Sequence, residues 1–83
     1  MKIDAMCTLA AKLLKLDIKE IENNSAYDKS VGALYVSVPV KGGSSLLVGE
    51  DGTVLYADSS ISYEEHIKEF SSGKRTPLED FSD

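Results

Sequence analysis

The chain has one cysteine, one histidine and no tryptophan. A lone Cys7 excludes an internal disulfide, argues against a staple-dependent secreted fold and fits a reducing compartment. With His66 as the only histidine and no Cys-x-x-Cys pair, the ligand spacings of zinc sites are missing, so no metal is expected. No apolar run approaches the roughly 18 residues of a membrane span. The first residues do not read as a signal peptide, because Asp4 follows Met1-Lys2, and Lys12, Lys15 and Asp17 interrupt the apolar stretch. The expectation is a soluble, cytoplasmic protein with no membrane partner.

Basic charge is also scarce. Fourteen acids face nine Lys and Arg, for a net charge of −5. The imbalance is local: residues 1–44 hold five acids and six bases, and residues 45–83 hold nine acids and three bases. An acidic half-surface repels phosphate backbones, so no nucleic-acid partner is expected. It would attract a basic protein and speed encounter with it, and it also keeps a small protein soluble. With 83 residues, 42% of them hydrophobic, the chain reads as one globular domain (1–83) with a modest core.

What is present is patterning. Ile3, Met6, Leu9, Ala10, Leu13 and Leu14 place an apolar stripe along a helix over 3–16, and Cys7 falls within that pattern as a buried thiol. Asp17 to Asn23 either extends that helix or begins another turn, and Asn23-Asn24-Ser25 ends it. From Ala33 to Val40 the period becomes two, with Leu34, Val36, Val38 and Val40 on one side and Tyr35, Ser37 and Pro39 on the other. Pro39 cannot donate to a ladder, which predicts an edge or a strand end there. Lys41-Gly42-Gly43-Ser44 connects to a second strand, Ser45 to Val48. Gly49-Glu50-Asp51-Gly52 is a hairpin turn with Gly52 suited to positive φ, and Thr53 to Ala57 is the third strand. Ser62-Tyr63-Glu64-Glu65 matches a capping box. Tyr63, Ile67 and Phe70 give the stripe of a short helix, and Gly73 gives its stop. Residues 74–83 read as an extended tail, with Leu78 and Phe81 able to dock back.

The predicted class is α+β, a three-stranded antiparallel meander with one helix before and one after (α-β-β-β-α) and both helices on one sheet face. The other face would then be open to water, showing Tyr35, Ser37, Ser45 and Leu47 as a docking surface. Tyr27, placed in the loop before the first strand, either closes the core or contacts a partner.

Few residues could carry chemistry. His66 lies among Tyr63, Ile67 and Phe70 and reads as a packed, hydrogen-bonded histidine; a catalytic one would want a nucleophile or an orienting carboxylate in a cleft. Glu50-Asp51 and Glu64-Glu65 are adjacent pairs whose side chains diverge, which suits them poorly to acid/base work. Glu50, Asp51 and Asp58 lack the spacing of a calcium loop. Lys41-Gly42-Gly43-Ser44-Ser45 lacks the ending and the following helix of a phosphate loop, so no nucleotide cofactor is expected. Lys74-Arg75 sits where it would meet a helix C-terminus. The chain is not expected to be an enzyme.

The run from Gly42 to Ala57, then Glu64-Glu65-His66-Ile67-Lys68-Glu69-Phe70, then Gly73-Lys74-Arg75-Thr76-Pro77, resembles small bacterial immunity proteins of polymorphic or contact-dependent toxin systems. The likeness covers roughly the second half of the chain and not the first helix. It implies a cytosolic protein that binds a cognate toxin domain, often a nuclease, and blocks its active site or substrate path. It supplies no fixed contact residues. The residues themselves point to Tyr35, Glu50, Asp51, Asp58 and Glu64 as the partner-binding set. The alternative is a structural or adaptor homodimer, associating through the Ala33–Val40 strand or the Tyr35 face. A small enzyme built on His66 is the third reading.

Overall fold

The computed structural model describes residues 2–38 and 43–81. Pro39, Val40 and the first half of the Gly-Gly connection, for which a strand end and a tight turn are expected, lie outside the described residues.

Helix α1 (Ile3–Leu14) buries Met6, Cys7 and Ala10. It stops at Lys15, which takes a left-handed conformation with φ 57°. The Asp17 carboxylate then accepts from the Lys19 N–H at 2.8 Å and caps a separate short helix, α2 (Ile18–Asn23), whose Ile21 is fully buried. Of the two readings of this stretch, the structure takes the new helix.

The sheet has four antiparallel strands in sequence order: β1 (Ser25–Asp28), β2 (Ala33–Ser37), β3 (Ser45–Gly49) and β4 (Val54–Ala57). The expected three-stranded meander therefore gains a first strand, β1, where the sequence suggested a loop. Tyr27 lies in β1 opposite Leu34 and packs against the core. β2 is paired on both sides, with β1 and with β3. The strand proposed for self-pairing is thus interior, its hydrogen-bonding groups used within the chain.

The helices do not share a face. Leu34, Val36, Leu46, Val48 and Val54 form one cluster with Met6, Cys7, Ala10 and Ile21 of α1 and α2. Ala33, Leu47 and Leu55 form another with Phe70 of the last helix, α3 (Tyr63–Ser71). The alternation of β2 is as expected, but the face expected to be open is covered by α3. The cause lies in β3, where all five residues are buried. Leu46 and Val48 point one way and Leu47 the other, so this strand needs cover on both sides. Of the residues assigned to open water, Leu47 is 0% and Ser45 3% exposed.

α3 begins and ends as its sequence demands. The Ser62 hydroxyl accepts from the Glu65 N–H (3.2 Å). At the other end Gly73, with φ 99°, lets its own N–H reach the Phe70 carbonyl and the Lys74 N–H reach the Glu69 carbonyl, both at 3.1 Å. Ser62→Ala should therefore cost about 1 kcal/mol and lower Tm by roughly 4–8 °C in a thermal melt. An unchanged Tm would remove the cap from the account of this helix.

Residues 74–81 are tied down rather than extended. Thr76 bridges to the outer edge of β4, its N–H on the Val54 carbonyl (2.8 Å) and its hydroxyl accepting from the Tyr56 N–H (2.9 Å). Leu78–Phe81 forms a 3-10 turn, and the Phe81 ring meets Tyr56 edge-on at 6.2 Å. Among the described residues no helix is long and apolar enough to cross a membrane.

Candidate functional site

Glu50 and Asp51 lie in the β3–β4 turn, where Gly52 has φ 85° and the Gly49 N–H meets the Thr53 carbonyl (2.8 Å). Both carboxylates are exposed and both are engaged. The Tyr27 hydroxyl donates to Glu50, a bond that holds the phenol's proton more tightly than usual. Asp51 Oδ1 accepts from the hydroxyl (2.6 Å) and the N–H (3.0 Å) of Thr53, which holds its carboxyl below the usual range. The Thr53 hydroxyl in turn accepts from Arg75 Nε (2.7 Å). Arg75 also donates to the Phe70 carbonyl (2.8 Å), and its guanidinium lies 3.6 Å from the Phe70 ring centre. Gly32, Gly49, Glu50, Asp51, Phe70 and Arg75 line a shallow groove at this end of the sheet.

Asp58 follows β4 and so sits at the opposite end. Its Oδ1 accepts from the Ser60 hydroxyl (2.5 Å) and N–H (2.9 Å), again lowering its pKa. It borders a second shallow groove with Glu69, Lys74 and Asp80. Glu64 is exposed in the first turn of α3, just beyond the loop that Asp58 opens. The four acids thus form no single cluster: Glu50 and Asp51 share one end, while Asp58 and Glu64 flank the entry to α3.

Tyr35 is half-buried beneath α3. Its ring meets Tyr63 edge-on, centres 4.7 Å apart, and lies 6.0 Å from His66. Tyr63, expected in the buried stripe, is 46% exposed, and its hydroxyl donates to Asp28. Asp28 is fixed by Ser30 as Asp51 is by Thr53 and Asp58 by Ser60, with Ser30 the larger cause of its lowered pKa. The repeated Asp-x-Ser/Thr spacing is a sequence signal for all three turns that pattern-reading for partner contacts passed over.

His66 is fully buried. Its Nε2 lies 2.7 Å from the Leu55 carbonyl, which can only accept, so Nε2 carries the proton. Nδ1 then accepts from the Ser45 hydroxyl at 3.0 Å. Burial is the main cause that pushes the imidazole pKa down. Both ring nitrogens are occupied inside the fold, and both members of the Ser45–His66 pair are buried. Cys7 is also buried, and burial raises its thiol pKa, which disfavours the thiolate. Among the described residues no group of three or more His, Cys, Asp or Glu is placed to hold a metal ion.

No family model, no curated protein and no solved structure matches the chain. The functional reading therefore rests on its own residues. What they offer is two exposed carboxylates, Asp51 and Asp58, each held by hydrogen bonds from its own turn at opposite ends of the sheet.

Proposed function

We propose that the chain is a cytosolic protein-binding inhibitor that docks onto a basic partner through its acidic surface and neutralises it, as the likeness to immunity proteins implies. The observation that carries this reading is the state of Asp51 and Asp58. Both are exposed, both have their carboxyl pKa lowered by hydrogen bonds from their own turns, and both are fixed in direction before any partner arrives. Pre-oriented anions lose little freedom on meeting a cation, and the summed field of the acidic half steers a basic partner in from solution. Glu50 adds a second carboxylate beside Asp51 and Glu64 one near Asp58, and Tyr35, half-buried, lies between β2 and α3. A toxin domain that handles nucleic acid would have the positive surface this one fits.

The test is affinity capture from the source lysate with the tagged chain and with a variant carrying Glu50→Lys, Asp51→Lys, Asp58→Lys and Glu64→Lys. The expected result is a stoichiometric basic polypeptide, inhibited in its own activity, that the variant retains poorly. Its association rate with the unaltered chain should fall steeply with salt and drop by roughly tenfold or more in the variant. Equal binding by a variant with an unchanged circular dichroism spectrum would refute this docking surface.

A further inference from the structure

We propose that α3 is an acid-released cover over the second face of the sheet, with His66 as the group that releases it. The two faces are held very unequally. On the first, Met6, Cys7, Ala10 and Ile21 of α1 and α2 are buried against the strands. On the second, α3 contributes one buried apolar side chain, Phe70, and the half-buried Ile67. Its remaining contacts are the edge-on packing of Tyr63 on Tyr35 and polar bonds, His66 to Ser45 and Leu55, and Tyr63 to Asp28. An element with so little buried apolar area opens more readily than the strand β3 beneath it, all of whose residues are buried.

A second proton on His66 has to enter at Nδ1, because Nε2 already carries one toward Leu55. Ser45 would then have to turn from donor to acceptor, and a cation would sit at a fully buried position. The groups around it do not compensate. From β2 it meets the Tyr35 ring, from β3 the Ser45 hydroxyl and from β4 the Leu55 carbonyl. On its own helix, Glu69 favours the cation but is ion-paired with Lys74 at 3.7 Å. Asp28 of β1 is held by Tyr63 and Ser30, and Arg75, beyond the helix, is a like charge stacked on Phe70. Among the described residues, no carboxylate is hydrogen-bonded to the ring. With α3 lifted, the imidazole is hydrated and titrates near its ordinary value of about 6.5. With α3 docked it holds the proton more weakly. Opening is therefore independent of pH above that ordinary value and gains as pH falls below it, by at most about tenfold per pH unit. What opens is the row Ala33, Leu47 and Leu55.

Hydrogen exchange on the full chain between pH 7.5 and 5, corrected for intrinsic rates, tests this. The α3 amides should lose protection as pH falls below about 6.5, by up to tenfold per unit, while the amides of β3 do not. His66→Gln keeps a donor and an acceptor but cannot titrate, so it should abolish the slope. A flat profile, the same slope in β3, or a slope that survives in His66→Gln overturns the proposal. Should that variant not fold, the imidazole titration of the unaltered chain, followed by NMR, decides: the ring must gain its proton below its ordinary value and only together with the loss of the docked α3 resonances, and a ring that titrates under an undisturbed helix refutes it.

Discussion

Leu47→Ala should lower the unfolding free energy by about 2–5 kcal/mol, as much as the same change at Leu46. The two leucines are neighbours in β3, each 0% exposed, and point to opposite faces. Leu46 lies in register with Val36 and Tyr56 and packs toward α1; Leu47 lies in register with Tyr35 and Leu55 and packs toward α3. Each truncation removes transfer free energy and leaves a cavity that the surrounding side chains only partly fill. Were both helices on one face, Leu47 would be a surface residue, and its loss would fall within about 0.5 kcal/mol. The pair thus separates a sheet covered on both sides from one covered on one. Urea titrations with a common slope would measure it. A loss below about 1 kcal/mol at Leu47, beside a large one at Leu46, would displace α3 from this face. Small domains hold only about 5–15 kcal/mol in all, so at the upper end of the range either variant is close to unfolding.

The second large effect is expected at Gly49, for reasons of space. Gly49 is buried, and a Cβ built on it would lie 2.8 Å from Asp51 Oδ1 and 2.9 Å from Phe70 Cζ. Neither neighbour yields cheaply. Asp51 is clamped by Thr53, and the Phe70 ring lies against the Arg75 guanidinium. Gly49→Ala should therefore cost about 1–3 kcal/mol through overpacking. In a Phe70→Leu background the same alanine meets a shorter side chain, so its cost should shrink, and the double-mutant cycle should show a coupling of at least about 0.5 kcal/mol. A penalty of equal size in both backgrounds would place its origin away from the helix.

Local features were legible in the sequence wherever they depend on local chemistry. The stripe of α1 apart from its first member Ile3, which is 48% exposed, the Ser62 cap, the Gly73 stop and the positive φ of Gly52 all follow from residues within one or two turns of each other. The missed strand β1 is different. Ser25-Ala26-Tyr27-Asp28 has little strand preference apart from Tyr27, and it is a strand because β2 lies beside it. The covered second face could have been read from Leu46-Leu47-Val48, an unbroken apolar run that a half-solvated strand would not carry. In the candidate site, the Asp-x-Ser/Thr turns were within reach of the sequence. The bonds from Tyr27 to Glu50 and from Tyr63 to Asp28 were not, because they join residues 23 and 35 apart and exist only through strand register and helix placement.

The strand order of the sheet is its order in the sequence, which bears on how fast the chain finds its fold. Each of the four strands pairs with its neighbour in the sequence, so each hairpin can zip onto the last across a short loop, with little closure entropy to overcome. The contact with the widest separation is between α1 and the 3-10 turn, the first and last elements described. It closes the largest loop and so belongs late, after the rate-limiting step. Strengthening it should slow unfolding while leaving the refolding rate nearly unchanged, which makes the kinetic lifetime of this protein adjustable where its first and last elements meet.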